Sequence, residues 1–339
     1  MSIIPIFIPH AGCPHQCVFC NQKTISGQKS AAVVEAKAQI ERWLQWIKPG
    51  RANEAAFYGG SFTGLDMALQ RQLLGLTDEL YDKEIIGSVR LSTRPDYIDT
   101  ESLQLLKEHH VELVELGVQS LDDAVLQRAE RGHDAAAVYA AHKLLREFGF
   151  KTGIQLMVGM PGQSFASVQE TAHKVAALKP DIARIYPLLV IKDTTLAESY
   201  AKGEFEPLIL EEAVTQSAYV YKALRSAGIN VIRIGLQPDE ELCVEGNILA
   251  GPFHPAMGEL VKSRALRNHF TPILQQLVAG GAEGVIFHCP RTMESKLRGL
   301  KNYNMQFWQE LFPNLKITIM PSSGEGINLC KMGSSCGLL

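Results

Sequence analysis

The chain has 339 residues, is 46% hydrophobic and 20% charged, and carries a formal net charge of −3. That length and apolar content can bury a full core, which excludes a disordered chain, a collagen-like chain and a coiled coil. No apolar run reaches about 18 residues, so no membrane-spanning helix is expected, and the mild negative total argues against a surface that is basic throughout.

Met1 to Pro9 is apolar but short, with neither a basic leader nor an A-x-A site. A signal peptide is therefore not expected, and the cytoplasm is the expected location. In chain order, Ile3 to Pro9 predicts a buried strand and Val33 to Ile47 a helix. Ala55 to Tyr58 predicts a strand stopped by Gly59-Gly60, followed by a helix over Met67 to Tyr81. Strands are predicted at Ile86 to Ser92, Leu113 to Val118, Ile154 to Val158 and Ile182 to Leu189. Helices between and after them are predicted at Thr100 to His110, Ala135 to Phe148, Phe165 to Leu178 and Leu210 to Ala227.

Regular βα alternation with strands apolar on both faces implies a parallel sheet covered by helices. The expected fold is α/β: a partial (βα)6 TIM-like barrel, with a doubly wound sheet as the second reading. Either places ligands at the C-terminal ends of the strands. The first domain is expected to span residues 1–236. Residues 237–339 are expected to form a small C-terminal α/β extension. It opens on a Gly-, Pro- and acid-rich stretch (Pro238 to Pro255) and continues with a helix over Met257 to Val278. A strand (Gly284 to His288), a basic stretch (Lys296 to Lys301), a helix near Phe307 and a strand (Lys316 to Met320) complete it.

Seven cysteines are too few for a disulfide framework in a chain of this length, and three of them crowd together. Cys13, Cys17 and Cys20 have the spacing C-x3-C-x2-C on the loop after the first strand. Three thiolates on one loop can ligate three irons of a [4Fe–4S] cluster and leave one iron open. An open iron can chelate the amino and carboxylate groups of S-adenosylmethionine (SAM), whose reductive cleavage gives a 5′-deoxyadenosyl radical that abstracts hydrogen. The same thiolates with His10 or His15 would instead make a closed Cys3His zinc site.

The three cysteines, with Phe19 before the last, resemble the signature of the radical SAM superfamily. The similarity is to the radical-SAM module of the Elongator catalytic subunit and its bacterial relatives, over about residues 3–236. It is carried by Ile6 to His10, Phe57 to Thr63, Ser92 to Tyr97 and Glu115 to Ser120, then by Arg131 to His133, Leu156 to Gly162 and Tyr186 to Leu188. The resemblance implies that Cys13, Cys17 and Cys20 bind the cluster and that Phe19 lies near adenine. It places the methionyl amino group against Gly59, Gly60 and Ser61, and the ribose and carboxylate against Gln119 and Arg131. Ser92 and Gln155 fall where the coproporphyrinogen-oxidase type has acids, and Leu156 to Gly159 would pack on adenine. A reductant such as flavodoxin or ferredoxin is implied. The acetyltransferase domain that follows the module in Elongator is not expected, since residues 237–339 are too few for it.

Between Gly258 and Lys316 eight Lys/Arg stand against four Glu, a local +4. Lys262, Arg264, Arg267, Lys296, Arg298 and Lys301, with Tyr303 and Trp308 as stacking rings, would suit tRNA, and a tRNA base is the expected substrate. A solvated helix face with Trp308 in the core is the alternative. Cys289, Cys330 and Cys336 would be the ligands of a second cluster, or plain buried thiols. The alternatives in function are a small-molecule enzyme of the coproporphyrinogen-oxidase type, a cluster-bearing haem or metal chaperone without catalysis, and a structural zinc protein.

Overall fold

Strands with apolar outward residues form one parallel sheet, and helices cover its outer side; the inner face, expected to be apolar as well, is instead polar. The computed structural model describes residues 2–8, 13, 15–21, 29–236, 246–324 and 326–332. The elements are β1 (Ile3–Phe7), α1 (Lys29–Leu44), β2 (Glu54–Tyr58), α2 (Met67–Asp82), β3 (Ser88–Thr93), α3 (Thr100–Glu108), β4 (Val111–Gln119) and α4 (Asp123–Arg128). The chain continues through α5 (Ala135–Glu147), β5 (Lys151–Val158), α6 (Phe165–Leu178), β6 (Ile182–Pro187), β7 (Val190–Ile191), α7 (Thr195–Ala201), α8 (Leu210–Ser226) and β8 (Asn230–Ile234). It closes with β9 (Ile248–Ala250), α9 (Met257–Ala279), β10 (Gly284–Pro290), α10 (Arg291–Arg298), α11 (Tyr303–Leu311), β11 (Lys316–Ser322) and β12 (Asn328–Lys331).

The large sheet has the order β1-β2-β3-β4-β5-β6-β8, with every pair parallel, and curls into a half-barrel. The partial TIM-like barrel is therefore correct, with one more strand than expected. The extra strand is β8, whose five residues, Asn230 to Ile234, form neither a continuous apolar run nor a clean alternation. At the opposite edge the Gln39 side chain of α1 accepts from Phe7 N–H (2.8 Å) and donates to Phe7 C=O (3.0 Å). That leaves β1 no free pairing groups at Phe7.

On β4, Val114, Leu116 and Val118 pack outward into the main core with Ile4, Ile6, Phe57, Leu103, Leu106 and Leu145. The intervening residues face the concave side, which is polar. There the Glu115 carboxylate, 1% exposed, accepts from Arg184 Nε (2.6 Å) and Nη2 (2.9 Å), with Arg90 Nη1 at 3.9 Å. Arg184 also donates to the Tyr58 hydroxyl (3.0 Å), and Arg90 pairs with Glu54. Gly153 on β5 makes room, since a Cβ there would stand 2.8 Å from Glu115 Cγ.

In the C-terminal part α9 belongs to two cores. Met257, Val261 and Ala265 pack on Val214 and Ala218 of α8. Phe270 and Leu274 pack under a second sheet of order β11-β10-β12, with Phe287 and Trp308. The strands β7 and β9 pair antiparallel.

This packing corrects the basic patch. Arg264 is buried in an ion pair with Glu211 and a hydrogen bond to Thr215. Arg267 is buried with its guanidinium over the rings of Phe307 (4.4 Å) and Tyr303 (5.1 Å). Both fasten α9 to its neighbours and cannot face a phosphate. Trp308 is fully buried, donating to Thr271 Oγ1 at 2.9 Å, so it is no stacking platform. Two of the three candidate ligands of a second cluster are otherwise engaged. Cys289 is a buried thiol donating to Pro290 C=O (3.4 Å), and Cys330 is disulfide-bonded. Cys336, Cys243 and His10 lie outside the described residues, as does the start of the Pro238 to Pro255 stretch. Among the described residues no helix is long and apolar enough to cross a membrane.

Candidate functional site

The loop after β1 carries the three cysteines and is fastened from several sides. Val18 is buried in a small core with Val125, Ala129, Met160, Leu188 and Leu196, against which Phe19 packs half-buried. Its N–H donates to Ala129 C=O (3.2 Å) and its C=O accepts from Leu196 N–H (2.8 Å). Asn21 Nδ2 donates to Lys192 C=O (3.0 Å), and Cys20 N–H to Cys17 C=O (2.9 Å). The bonds of Val18 and Asn21 reach Ala129, Lys192 and Leu196, more than a hundred residues away.

Two guanidiniums meet the sulfurs. Arg131 Nη1 donates to Cys17 Sγ (3.2 Å) and Nη2 to Gly117 C=O (2.6 Å). Arg94 Nη1 lies 3.9 Å from Cys17 Sγ and 4.0 Å from Cys13 Sγ. Burial, together with the nearby Cys17 and Cys13, pushes the Cys20 thiol up to about 11. The three sulfurs thus stand close enough for their charges to oppose one another, a repulsion that a bound cation relieves.

Several buried polar atoms nearby have no partner: Gln119 Oε1, Arg131 Nε and His133 Nε2. Gln119 has φ +67, which turns its side chain toward Gly117 beside Arg131. Thiols under two cations, ringed by unsatisfied polar atoms, fit an anionic thiolate-ligated group such as an iron–sulfur cluster. A zinc ion fits less well, because one ion draws all its ligands to a single centre, whereas a cubane spreads three thiolates over three irons. Among the described residues no three Cys, His, Asp or Glu side chains form a group that could hold a single ion.

At the C-terminal end of β2, Gly59 is exposed with φ +101, and a Cβ there would stand 2.7 Å from Ile8 C=O. Gly60 is half-buried, so this stretch of backbone is open to a ligand. Replacing Gly59 with alanine forces strain and a main-chain clash; a stability loss of about 2 kcal/mol is expected in urea denaturation, and an unchanged midpoint would contradict it.

The other expected site residues are less available. Ser61 Oγ is buried against Thr93 Oγ1 (2.9 Å) and accepts from Arg94 N–H (3.3 Å). Gly159 N–H donates to Gln163 Oε1 (2.9 Å), and Leu208 covers its α-carbon. Gln155 Nε2 donates to Ser92 Oγ (3.2 Å) and Glu115 (3.3 Å), so both residues belong to the polar concave face. Arg94, Asp96, His133, Glu115 and Arg184 received no role from sequence. Arg94 and Asp96 stood inside a matched segment, but nothing in the sequence places them under sulfurs some 80 positions upstream. A cavity of about 580 Å³ opens beside the loop, lined by His15, Leu126, Glu130, His133 and Asp134 among others.

Burial, with the Arg131 charge beside it, lowers His133 to about 4. The unfolded chain takes up a proton near pH 6.5 that the native state refuses until about pH 4. Stability therefore falls as pH drops through this window. The expected loss between pH 7 and pH 5 is about 2 kcal/mol for the metal-free protein, and His133→Asn removes it. Parallel losses in both proteins would refute the assignment.

Residues 7–175 match the radical SAM superfamily, and residues 180–267 match the radical SAM C-terminal domain. The chain is 33% identical over 210 residues to the uncharacterized protein MJ0486 of Methanocaldococcus jannaschii, covering 58% of this chain and 64% of that one. It is 25% identical over 287 residues to a tRNA uridine(34) acetyltransferase of Methanocaldococcus infernus, covering 73% and 54%. Among solved structures, archaeal Elp3 from Methanocaldococcus infernus, lacking its N-terminus (1–46), superposes with a TM-score of 0.63 at 24% identity. That match covers 79% of this chain and 63% of Elp3, and shows the shared fold. The chain thus spans between about half and just under two thirds of these relatives.

Proposed function

Because the chain belongs to the radical SAM superfamily, we propose that it is a radical SAM enzyme whose [4Fe–4S] cluster is held by Cys13, Cys17 and Cys20. Members of this superfamily use such a cluster with SAM; bound here, it would supply the electron that cleaves SAM to the 5′-deoxyadenosyl radical. The observation that carries the proposal is the pinned cysteine loop beneath Arg131 and Arg94. In this reading Gly59 and Gly60 present open main chain to the methionyl amino group. Arg131, with Nε unsatisfied, and Gln119, with Oε1 unsatisfied, orient the carboxylate and ribose. Phe19 supports adenine, and the concave face keeps water from the reacting atoms. Ser61, Ser92, Gln155 and Gly159 support the pocket through the protein contacts described above. A small reductant such as flavodoxin or ferredoxin would deliver the electron.

The substrate class we favour is a tRNA base. The relative named for tRNA uridine(34) acetylation supports this, as does the surviving surface of Lys296, Arg298 and Lys301 beside exposed Tyr303. Anaerobically reconstituted protein should bind about four irons and release 5′-deoxyadenosine with a reductant. Zinc without iron would overturn the enzyme reading. Affinity for tRNA should fall steeply with salt, and removing the three basic side chains should lower the log–log slope by about 3. Absence of tRNA binding at low salt would eliminate the RNA substrate and leave the small-molecule one.

A further inference from the structure

Arg94 is clamped beside the cysteine loop. It is 4% exposed, and its Nε and Nη2 make a bidentate pair with Asp96 at 2.9 Å each. Nη2 also donates to the Arg131 main-chain oxygen. These bonds occupy one edge of the guanidinium and turn Nη1 to the sulfurs of Cys17 and Cys13. Asp96 lies behind that edge, within 3.6 Å of His15 Nε2. The nearer charge dominates at the sulfurs, and the burial of Arg94 leaves it weakly screened.

We propose that Arg94 is a positioning residue for the cluster's electron: held by Asp96, it presents a fixed positive charge to two thiolate ligands and raises the reduction potential. This rests on Cys13, Cys17 and Cys20 being the ligands. One electron enters from an external reductant and no proton or bond is exchanged, so the cluster becomes more negative by one charge. A cation within about 4 Å of two ligand sulfurs favours the reduced state, as charge and hydrogen bonds at sulfur set cluster potentials. Arg131 alone does not replace it: Arg131 donates to Cys17 Sγ and its charge acts on Cys20, whereas Arg94 Nη1 stands near Cys17 and Cys13.

The test is the midpoint potential of anaerobically reconstituted protein without SAM, read by optical and spin-resonance titration with mediators. Parent, Arg94→Gln, Arg94→Met and Arg94→Lys are compared, with iron content measured for each. Arg94→Gln and Arg94→Met should carry the parent's iron but show a reduced-to-oxidised ratio about tenfold lower at a fixed poise, which is about 59 mV for one electron. Arg94→Lys should stay within about threefold of the parent, because it keeps the charge and loses only the fork. Unchanged potentials in fully loaded Gln and Met variants overturn the proposal. So does poor iron loading of the Gln and Met variants, since Arg94 would then be needed to assemble the cluster and not to set its potential. Failure of the parent itself to take up iron refutes the assignment of the cysteines instead.

Discussion

Changing any one of Cys13, Cys17 or Cys20 to alanine is expected to abolish 5′-deoxyadenosine release, each single change costing as much as all three. The three sulfurs act as a unit, and effects within a unit do not add. Residues that merely support a metal ligand cost about 10–100-fold when removed, so loss of a ligand itself should exceed about 100-fold. The fold should survive, because the main core holds none of the three cysteines. The local anchors of the loop, Val18 in its small core and its main-chain bonds to Ala129 and Leu196, do not depend on the thiols. Iron content, 5′-deoxyadenosine yield and thermal unfolding measured together check this. A single alanine variant that retains parental iron and turnover would refute the ligand assignment. A variant that loses both activity and cooperative unfolding would show the loop to be structural instead.

Glu115→Ala is expected to destabilise the protein by about 3–5 kcal/mol, among the largest effects available outside the apolar core. Glu115 accepts two hydrogen bonds from Arg184 and one from Gln155, with Arg90 close by, in the interior of the half-barrel. The Glu115 charge favours the charged form of Arg184 against the cost of burial and raises its pKa above the ordinary arginine value. Without the carboxylate, a buried guanidinium loses its counter-charge, and among the described residues no other acid pairs with Arg184. A lowering of the melting temperature by about 4–7 °C follows from the usual relation for chains of this size. Replacing the pair together, Glu115→Leu with Arg184→Met, should recover most of the loss, because neither desolvated charge then remains. Chemical denaturation of the single and double variants tests this. A loss below about 1 kcal/mol for Glu115→Ala would mean that water or a rearranged Glu54 compensates the arginines.

Much of the architecture was legible because its signals are local. Apolar runs such as Ile182 to Pro187 and periodic segments such as Phe165 to Leu178 declare a strand and a helix through their own spacing. The cap residues Asp99, Asp134 and Ser164 mark where helices begin by accepting main-chain N–H groups. β8 was missed because Asn230 and Arg233 put a polar residue on each of its faces, and α4 because six residues carry little periodicity. The basic count between Gly258 and Lys316 was real, but composition does not distinguish Arg298, half-exposed beside Glu294, from Arg267, buried over two rings.

By itself the sequence determined that three cysteines share one loop and the βα order of the sheet, since C-x3-C-x2-C and the 2.0 and 3.6 periodicities are properties of neighbouring residues. Only the tertiary structure decided which charges meet. Arg94 and Arg131 reach the sulfurs across 77 and 114 positions of chain, and Glu115 finds Arg184 across 69. Such contacts arise when curvature brings the ends and inner faces of separate strands together, and no stretch of neighbouring residues encodes that curvature.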